Sequence, residues 1–432
     1  MSDSPTFVIV GAGLAGATAA GALRADGFDG RIVLLGAEPH QPYERPPLSK
    51  EYLQGSATRD TVFVHPPDWY ADNQVELRLD DPVTGIERRA HEIVTSAGSR
   101  LRYDKLLLAT GAGPRRLPVP GADLAGVRYL RSLDDSDHLQ AALRPDIRVV
   151  IIGAGWIGLE TAAAARTAGA HVTVLEHAEL PLLHVLGPQV AKVFADLHTD
   201  HGVDLRCGVT VDAIKPSPDD PGTAGTVVLA DRAEVDADVI IVGVGATPNI
   251  DLARSSRLNV DNGILVGADL GTSDPDITAA GDVANAYHPL LHRQLRVEHW
   301  ANALHQPVVA AKTMLGKPAA YDRLPYFFTD QYDLGMEYTG YTDPYGHDQL
   351  VIRGDLKTRE FIAFWLHDQR LTAAMNVNTW DVTEPIQQLI RSGDQLDFTR
   401  LADPNVALDQ LLSDPQVTGP GGRRSEAYPP RT

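Results

Sequence analysis

Phe7-Val8-Ile9-Val10-Gly11-Ala12-Gly13-Leu14-Ala15-Gly16 stands near the start of the chain. About 140 residues later the pattern returns as Val149-Val150-Ile151-Ile152-Gly153-Ala154-Gly155-Trp156-Ile157-Gly158. Each β-branched run reads as a buried parallel strand, and each is followed by an Ala-rich helical stretch. In a strand–turn–helix context the three glycines have separate jobs. One makes the tight turn, one lets the backbone approach a pyrophosphate, and one lets helix and strand pack closely. The helix N-terminus then offers unpaired N–H groups and the positive end of its dipole to phosphate. A single GxGxxG can be a plain tight turn in a chain with 38 glycines. Here each copy also has an acidic partner after the next strand, where ribose hydroxyls are bound. Glu38 lies 22 residues after Gly16 and Glu176 lies 18 residues after Gly158. The expectation is two dinucleotides held at once, a flavin and a visiting nicotinamide.

Composition narrows the class. At 432 residues the chain can form two or three domains. No run approaches the roughly 20 apolar residues of a membrane span, and Met1-Ser2-Asp3-Ser4-Pro5 lacks the features of a signal peptide. A soluble cytoplasmic protein is expected. The net charge of −19 argues against nucleic acid as a partner. Cys207 is the single cysteine. A redox-active pair is therefore excluded, and the segment near the first helix where one would sit reads Tyr43-Glu44-Arg45-Pro46-Pro47-Leu48-Ser49-Lys50. Cys207 reads as a half-buried structural thiol. No metal site is expected.

The stretch Pro42-Tyr43-Glu44-Arg45-Pro46-Pro47-Leu48-Ser49-Lys50 resembles the signature of NADH-dependent ferredoxin reductases of the putidaredoxin reductase and biphenyl-dioxygenase reductase type. Rubredoxin reductase and apoptosis-inducing factor are relatives. The resemblance covers residues 5 to 410 and runs through Ala109-Thr110-Gly111, Gly158-Leu159-Glu160, Val244-Gly245, Ala280-Gly281-Asp282 and Phe328-Thr329-Asp330-Gln331. It implies an α/β fold of two nested Rossmann-like, glutathione-reductase-like dinucleotide-binding domains plus an α+β C-terminal domain. The expected limits are 1–112 and 243–322 for FAD, 113–242 for NADH, 323–410 for the C-terminal domain, and 411–432 for a disordered tail. Within the FAD part, Ile277-Thr278-Ala279-Ala280-Gly281-Asp282 reads as a short strand ending in Gly-Asp before a helix. In the last domain, 361–366 and 371–376 read as a hairpin.

The resemblance also assigns residues. Non-covalent FAD is assigned to Gly11, Gly13, Leu14, Ala15, Gly16, Ala37, Glu38, Arg45, Lys50, Val83, Ala109, Thr110, Gly111, Arg131, Asp282, Trp300 and Phe328. NADH is assigned to Gly153, Gly155, Trp156, Ile157, Gly158, Glu160, Glu176 and Gly245. Lys50 and Glu160 are expected to form a catalytic ion pair beside flavin N5; the competing reading of Glu160 is a helix-surface glutamate. Asp282 would accept from ribityl hydroxyls or cap a helix, and Arg45 and Arg131 would pair with pyrophosphate or stand solvated. Trp300 would present its backbone to the flavin or serve as an ordinary core residue. Two departures from the family pattern matter. Ala37 stands where relatives often carry an acid, so Glu38 would hold ribose alone, and Phe328 replaces a tryptophan. The expected partner is a small iron–sulfur ferredoxin serving a P450 or ring-hydroxylating oxygenase, with the protein a monomer or weak homodimer. Rubredoxin, oxygen and a redox-sensing scaffold like apoptosis-inducing factor are the alternatives. Arg293, Arg296, Arg353, Lys357 and Arg359 are the candidate docking cations against scattered solvated charges.

Overall fold

The computed structural model describes residues 4–343 and 346–412. The tail expected at 411–432 lies outside the described residues from 413 onward. Two compact units are present: Met1–Pro181 with Leu197–Arg323, and Leu182–Asp196 with Leu324–Thr432.

In the first unit, strand Thr6–Val10 is the centre of a five-stranded sheet. Arg31–Leu35 and then Val75–Arg78 lie on one side, Lys105–Leu108 and then Ile277–Ala279 on the other, and every pairing is parallel. A parallel sheet is covered on both faces, which explains why these strands are continuous apolar runs rather than alternating ones. Val8, Ile9, Ile32, Val33, Leu34, Leu106 and Leu107 are wholly buried. A second parallel sheet in the same unit repeats this order. Arg148–Ile152 is central, His171–Leu175 and Asp204–Arg206 lie on one side, and Val239–Val242 and Val127–Tyr129 on the other. Its outermost strand, Val127–Tyr129, precedes the central strand in the chain, whereas the equivalent strand of the first sheet, Ile277–Ala279, is returned to only after the second fingerprint. Val127–Tyr129 is not legible in the sequence, because three residues carry too little periodicity to register.

The chain passes between the two sheets twice, and the passages run side by side. Ala112–Pro114 pairs antiparallel with Ala246–Pro248. Thr110 Oγ1 donates to Asn249 O at 2.8 Å, and Asn249 Nδ2 donates back to Thr110 O at 2.8 Å. One expectation is corrected here. Gly281–Val283 is a single 3-10 turn leading into strand Ala284–His288, not a helix. Asp282 is followed by Val-Ala-Asn-Ala-Tyr-His, and the helix that packs against this turn, Trp300–Met314, comes only later.

Both fingerprints begin helices, Leu14–Ala25 and Trp156–Thr167. Their glycines are fixed by contact with backbone. A Cβ on Gly16 would lie 2.0 Å from Gly11 O, and one on Gly158 would lie 2.1 Å from Gly153 O. Gly11 has φ +116°, and a Cβ there would lie 2.1 Å from Ala109 O. Gly13 differs, since a Cβ there meets no protein atom within 4 Å.

The second unit carries an antiparallel five-stranded sheet ordered Tyr326–Gln331, Leu334–Gly340, Arg370–Val377, Glu360–His367, Gln349–Asp355. Helix Thr383–Ser392 packs on it. Trp365, Phe361, Phe364 and Met375 form its fully buried centre. The hairpin expected at 361–376 is Glu360–His367 with Arg370–Val377.

The glycine contacts separate two kinds of substitution. Gly16→Ala should destabilise the flavin-free protein by about 1–3 kcal/mol, because backbone must move. Gly13→Ala should cost no more than the N-cap preference, under about 1 kcal/mol, while lowering flavin retention. Urea denaturation of the apoprotein and flavin content after gel filtration measure the two effects. Equal destabilisation by both substitutions would contradict this assignment of roles.

Candidate functional site

At the carboxyl ends of the first sheet, four side chains named from sequence are linked. Glu38 follows the strand Arg31–Leu35 and accepts from Arg45 Nη2 at 3.0 Å. The other guanidinium nitrogen of Arg45 donates to Arg131 O. Arg131 Nη2 meets Asp282 Oδ2 at 2.7 Å. The backbone holding Arg131 is set by a capping box. Ser132 Oγ accepts from Asp135 N at 3.1 Å, and the Asp135 carboxylate accepts from Arg131 N and Ser132 N. Gly281, with φ +78°, brings the Asp282 turn against Ala15, and Gln306 Oε1 accepts from Gly281 N at 2.9 Å. Trp300 opens its helix with the indole donating to Glu44 Oε2 at 3.1 Å. Burial pushes the neighbouring His299 imidazole down to about 4, so it stands neutral there.

These groups fit FAD. The Gly13 position leaves room for a pyrophosphate to approach the helix N-terminus. Two arginines converge on the same end of the sheet, and Arg131 Nε is buried with no hydrogen-bond partner among the described residues. Glu38 and Asp282 supply acceptors for hydroxyls. The 80–81 segment crosses beside Glu38, with Asp80 N donating to Glu38 O and Asp81 N to Gly36 O, and leads to Val83. Ala37 is exposed, and Ala109–Gly111 lies against Gly11 and Arg131.

The second sheet presents a parallel arrangement. Glu176 Oε2 accepts from Ala154 N at 2.6 Å, and Oε1 accepts from Ala178 N at 2.8 Å. The carboxylate is thereby fixed beside the fingerprint turn, where a ribose diol would meet it. A Cβ on Gly155 would find its nearest atom, Gly243 O, 4.0 Å away, so this loop too is open to a dinucleotide. Ile157 is an exposed apolar residue at the start of the helix. Gly245 has φ +104° on the connecting strand pair, accepting from Arg115 N at 2.9 Å. Cys207 follows strand Asp204–Arg206; burial, with Glu176 and Glu179 nearby, pushes its thiol up to about 11.

Lys50 and Glu160 meet where the two halves join. Lys50 Nζ lies 2.8 Å from Glu160 Oε2, with side chains only 10% and 4% exposed. The helix-surface reading of Glu160 is therefore wrong. Lys50 follows the 3-10 turn Pro46–Ser49, and Glu160 lies on the second turn of helix Trp156–Thr167. Ser49 Oγ also donates to Glu160 Oε2.

Sequence reasoning missed Ser49, and also Tyr43, whose hydroxyl donates to Glu38 and accepts from Leu133 N. Burial pushes that hydroxyl up to about 12. Both residues stood inside the quoted signature, yet only their neighbours carried charge. Phe328 lies half-buried on strand Tyr326–Gln331 of the second unit. Of the five candidate docking cations, Arg296 and Arg353 have internal partners. Arg296 is bound to Glu298 and is 11% exposed, and Arg353 Nη2 donates to Pro404 O and Val406 O. Lys357 and Arg293 are exposed, and Arg359 is half-buried. Among the described residues no helix is long and apolar enough to cross a membrane, and no cluster of three or more His, Cys, Asp or Glu could hold a metal ion.

Comparison with known proteins agrees with this geometry. Residues 5–306 match the pyridine nucleotide-disulphide oxidoreductase family model, and residues 326–412 match the reductase C-terminal model. Putidaredoxin reductase of Pseudomonas putida is 37% identical over 416 residues, covering 96% of this chain and 98% of its own. The anthranilate 1,2-dioxygenase system ferredoxin–NAD(+) reductase component of Burkholderia cepacia is 40% identical, covering 95% of this chain and 100% of its own. The crystal structure of the covalent putidaredoxin reductase–putidaredoxin complex aligns with a TM-score of 0.91 at 38% identity, over 94% of this chain and 98% of that one. With two dinucleotide-binding sheets in one unit and a likeness that spans nearly the whole chain, this protein belongs to the pyridine nucleotide-disulphide oxidoreductase family, among its ferredoxin reductases.

Proposed function

We propose that this protein is an FAD-dependent NADH:ferredoxin oxidoreductase that supplies a P450 or a ring-hydroxylating oxygenase through a small iron–sulfur protein. The observation that carries the reading is the buried Lys50–Glu160 pair, which ties the loop beside one dinucleotide site to the helix that opens the other. When bound, FAD supplies the exchange between a two-electron donor, NADH, and a one-electron acceptor. The chain's own residues bind, orient and exclude water. Arg45 and Arg131 neutralise pyrophosphate, Glu38 and Asp282 accept from hydroxyls, and Glu176 accepts from the ribose of NADH. Lys50, held by Glu160, presents a fixed ammonium at the junction. Residues 1–112 and 243–322 form the FAD part, 113–242 the NADH part, and 323–410 the C-terminal domain. The cytoplasm is the compartment where NADH and such a ferredoxin meet.

Two measurements test this. With NADH and cytochrome c, turnover should rise steeply when a [2Fe–2S] ferredoxin is added. Turnover that no ferredoxin in a panel accelerates would contradict the acceptor class.

NADH should be preferred over NADPH by roughly a hundredfold in kcat/KM, because a 2′-phosphate would face Glu176 and lose a hydrogen bond. The nearest strand neighbour with a guanidinium is Arg206, whose Nε and Nη2 are both held by Asp204. Glu176→Ala should narrow the gap while also raising the KM for NADH, since Ala154 N loses its acceptor. Equal efficiency with the two nucleotides in the parent would refute the assignment.

A further inference from the structure

The Lys50–Glu160 pair has a third, uncharged member. Ser49 is 2% exposed, and its Oγ lies within hydrogen-bond reach of two acceptors. One is Pro46 O, at 3.4 Å within its own turn. The other is Glu160 Oε2, which is closer and bears charge. A hydroxyl has one proton to donate, and a charge-assisted bond is roughly twice as strong as a neutral one. The proton therefore goes to Glu160.

The scaffold under Ser49 is stiff. Pro46 and Pro47 fix two backbone torsions of the 3-10 turn. Leu48 O accepts from Ser136 Oγ at 2.9 Å, which fastens the turn to helix Leu133–Ala142. Lys50 N donates back to Pro47 O at 3.0 Å. Lysine carries about 2 kcal/mol of rotamer freedom and its ammonium is a point charge without preferred direction. The Ser49 hydroxyl adds a second donor to the carboxylate oxygen that Lys50 holds, and both donors come from adjacent residues at the end of a rigid turn.

We propose that Ser49 is a positioning residue for the redox site: it fixes the Glu160 carboxylate, and through it the direction in which the Lys50 ammonium points. The inference rests on the reading above that Lys50 faces the bound flavin. Ser49 touches neither dinucleotide in this account and acts only through its neighbour.

The test uses the holoenzyme in three forms, the parent, Ser49→Ala and Ser49→Thr, with stopped-flow reduction by NADH and equilibrium titration of the bound FAD. In Ser49→Ala the limiting rate of flavin reduction should fall about tenfold, with the dissociation constant for NADH changed less than about threefold. The midpoint potential should become more negative by about 30 mV, the two-electron equivalent of a tenfold change. A less well fixed cation stabilises the electron-rich reduced flavin less. Ser49→Thr, which keeps the hydroxyl, should recover most of both.

Three outcomes overturn the proposal. In one, the rate and potential of Ser49→Ala equal those of the parent. In another, its only change is a lower melting temperature, which marks a merely structural hydroxyl. In the third, Ser49→Thr binds FAD normally yet behaves like Ser49→Ala. A parent protein that NADH does not reduce would instead sink the proposed function, independently of Ser49.

Discussion

A buried salt bridge, Lys50–Glu160, joins the two halves of one unit, and its geometry is the constraint on which the site depends. Taking a carboxylate and an ammonium out of water is expensive, and their attraction offsets the cost only when the geometry is good and further donors are present. Glu160 has Lys50 and Ser49 on one oxygen, and all three side chains are buried. Removing one member of such a pair leaves an uncompensated charge, at a cost of about 3–5 kcal/mol. An interaction this costly to break links the helix after the second fingerprint, Trp156–Thr167, to the turn Pro46–Ser49 that follows strand Arg31–Leu35.

The surroundings supply rigidity in the same places. The two sheets share one strand order, and each fingerprint helix is seated on its strand by a glycine with no room for a Cβ. The paired connection Ala112–Pro114 with Ala246–Pro248 keeps the two passages of the chain in register, with Thr110 and Asn249 exchanging hydrogen bonds across it. Glu38 and Glu176, the two acids proposed to bind ribose, are held differently. Glu176 is fixed by backbone N–H groups, Ala154 N of the fingerprint turn and Ala178 N of its own loop, whereas Glu38 is fixed by Arg45 and Tyr43. In the proposed reading, selectivity at the second site depends on a carboxylate locked by backbone donors, while at the first site the carboxylate is paired with an arginine.

The sheets and fingerprint helices were legible because long apolar runs, acid spacing and glycine pattern all point to one arrangement. So was the contact between Lys50 and Glu160, but only through the family resemblance, since 110 residues separate them and no periodicity links them. The strand Val127–Tyr129 was too short to see. The turn at Gly281–Val283 was misread because a Gly-Asp pair fits both a helix cap and a 3-10 turn. Ser49 and Tyr43 escaped notice because a hydroxyl's role depends on its partner, and their partners Glu160 and Leu133 are distant in sequence while Glu38 is oriented toward Tyr43 only by the fold. Arg296 and Arg353 looked available for docking because their internal partners lie in other loops or at nearby positions that sequence alone does not orient.

The central claim is that Lys50 and Glu160 act as one unit in promoting the reduction of bound FAD by NADH. A double-mutant cycle on the rate at which NADH reduces bound FAD tests it, using Lys50→Gln, Glu160→Gln and the double variant at saturating NADH. Each single substitution should slow reduction by at least about tenfold, and the double variant should be little slower than the worse single one. Effects that multiply, with the double variant slowed by the product of the two, would show independent residues and contradict the account.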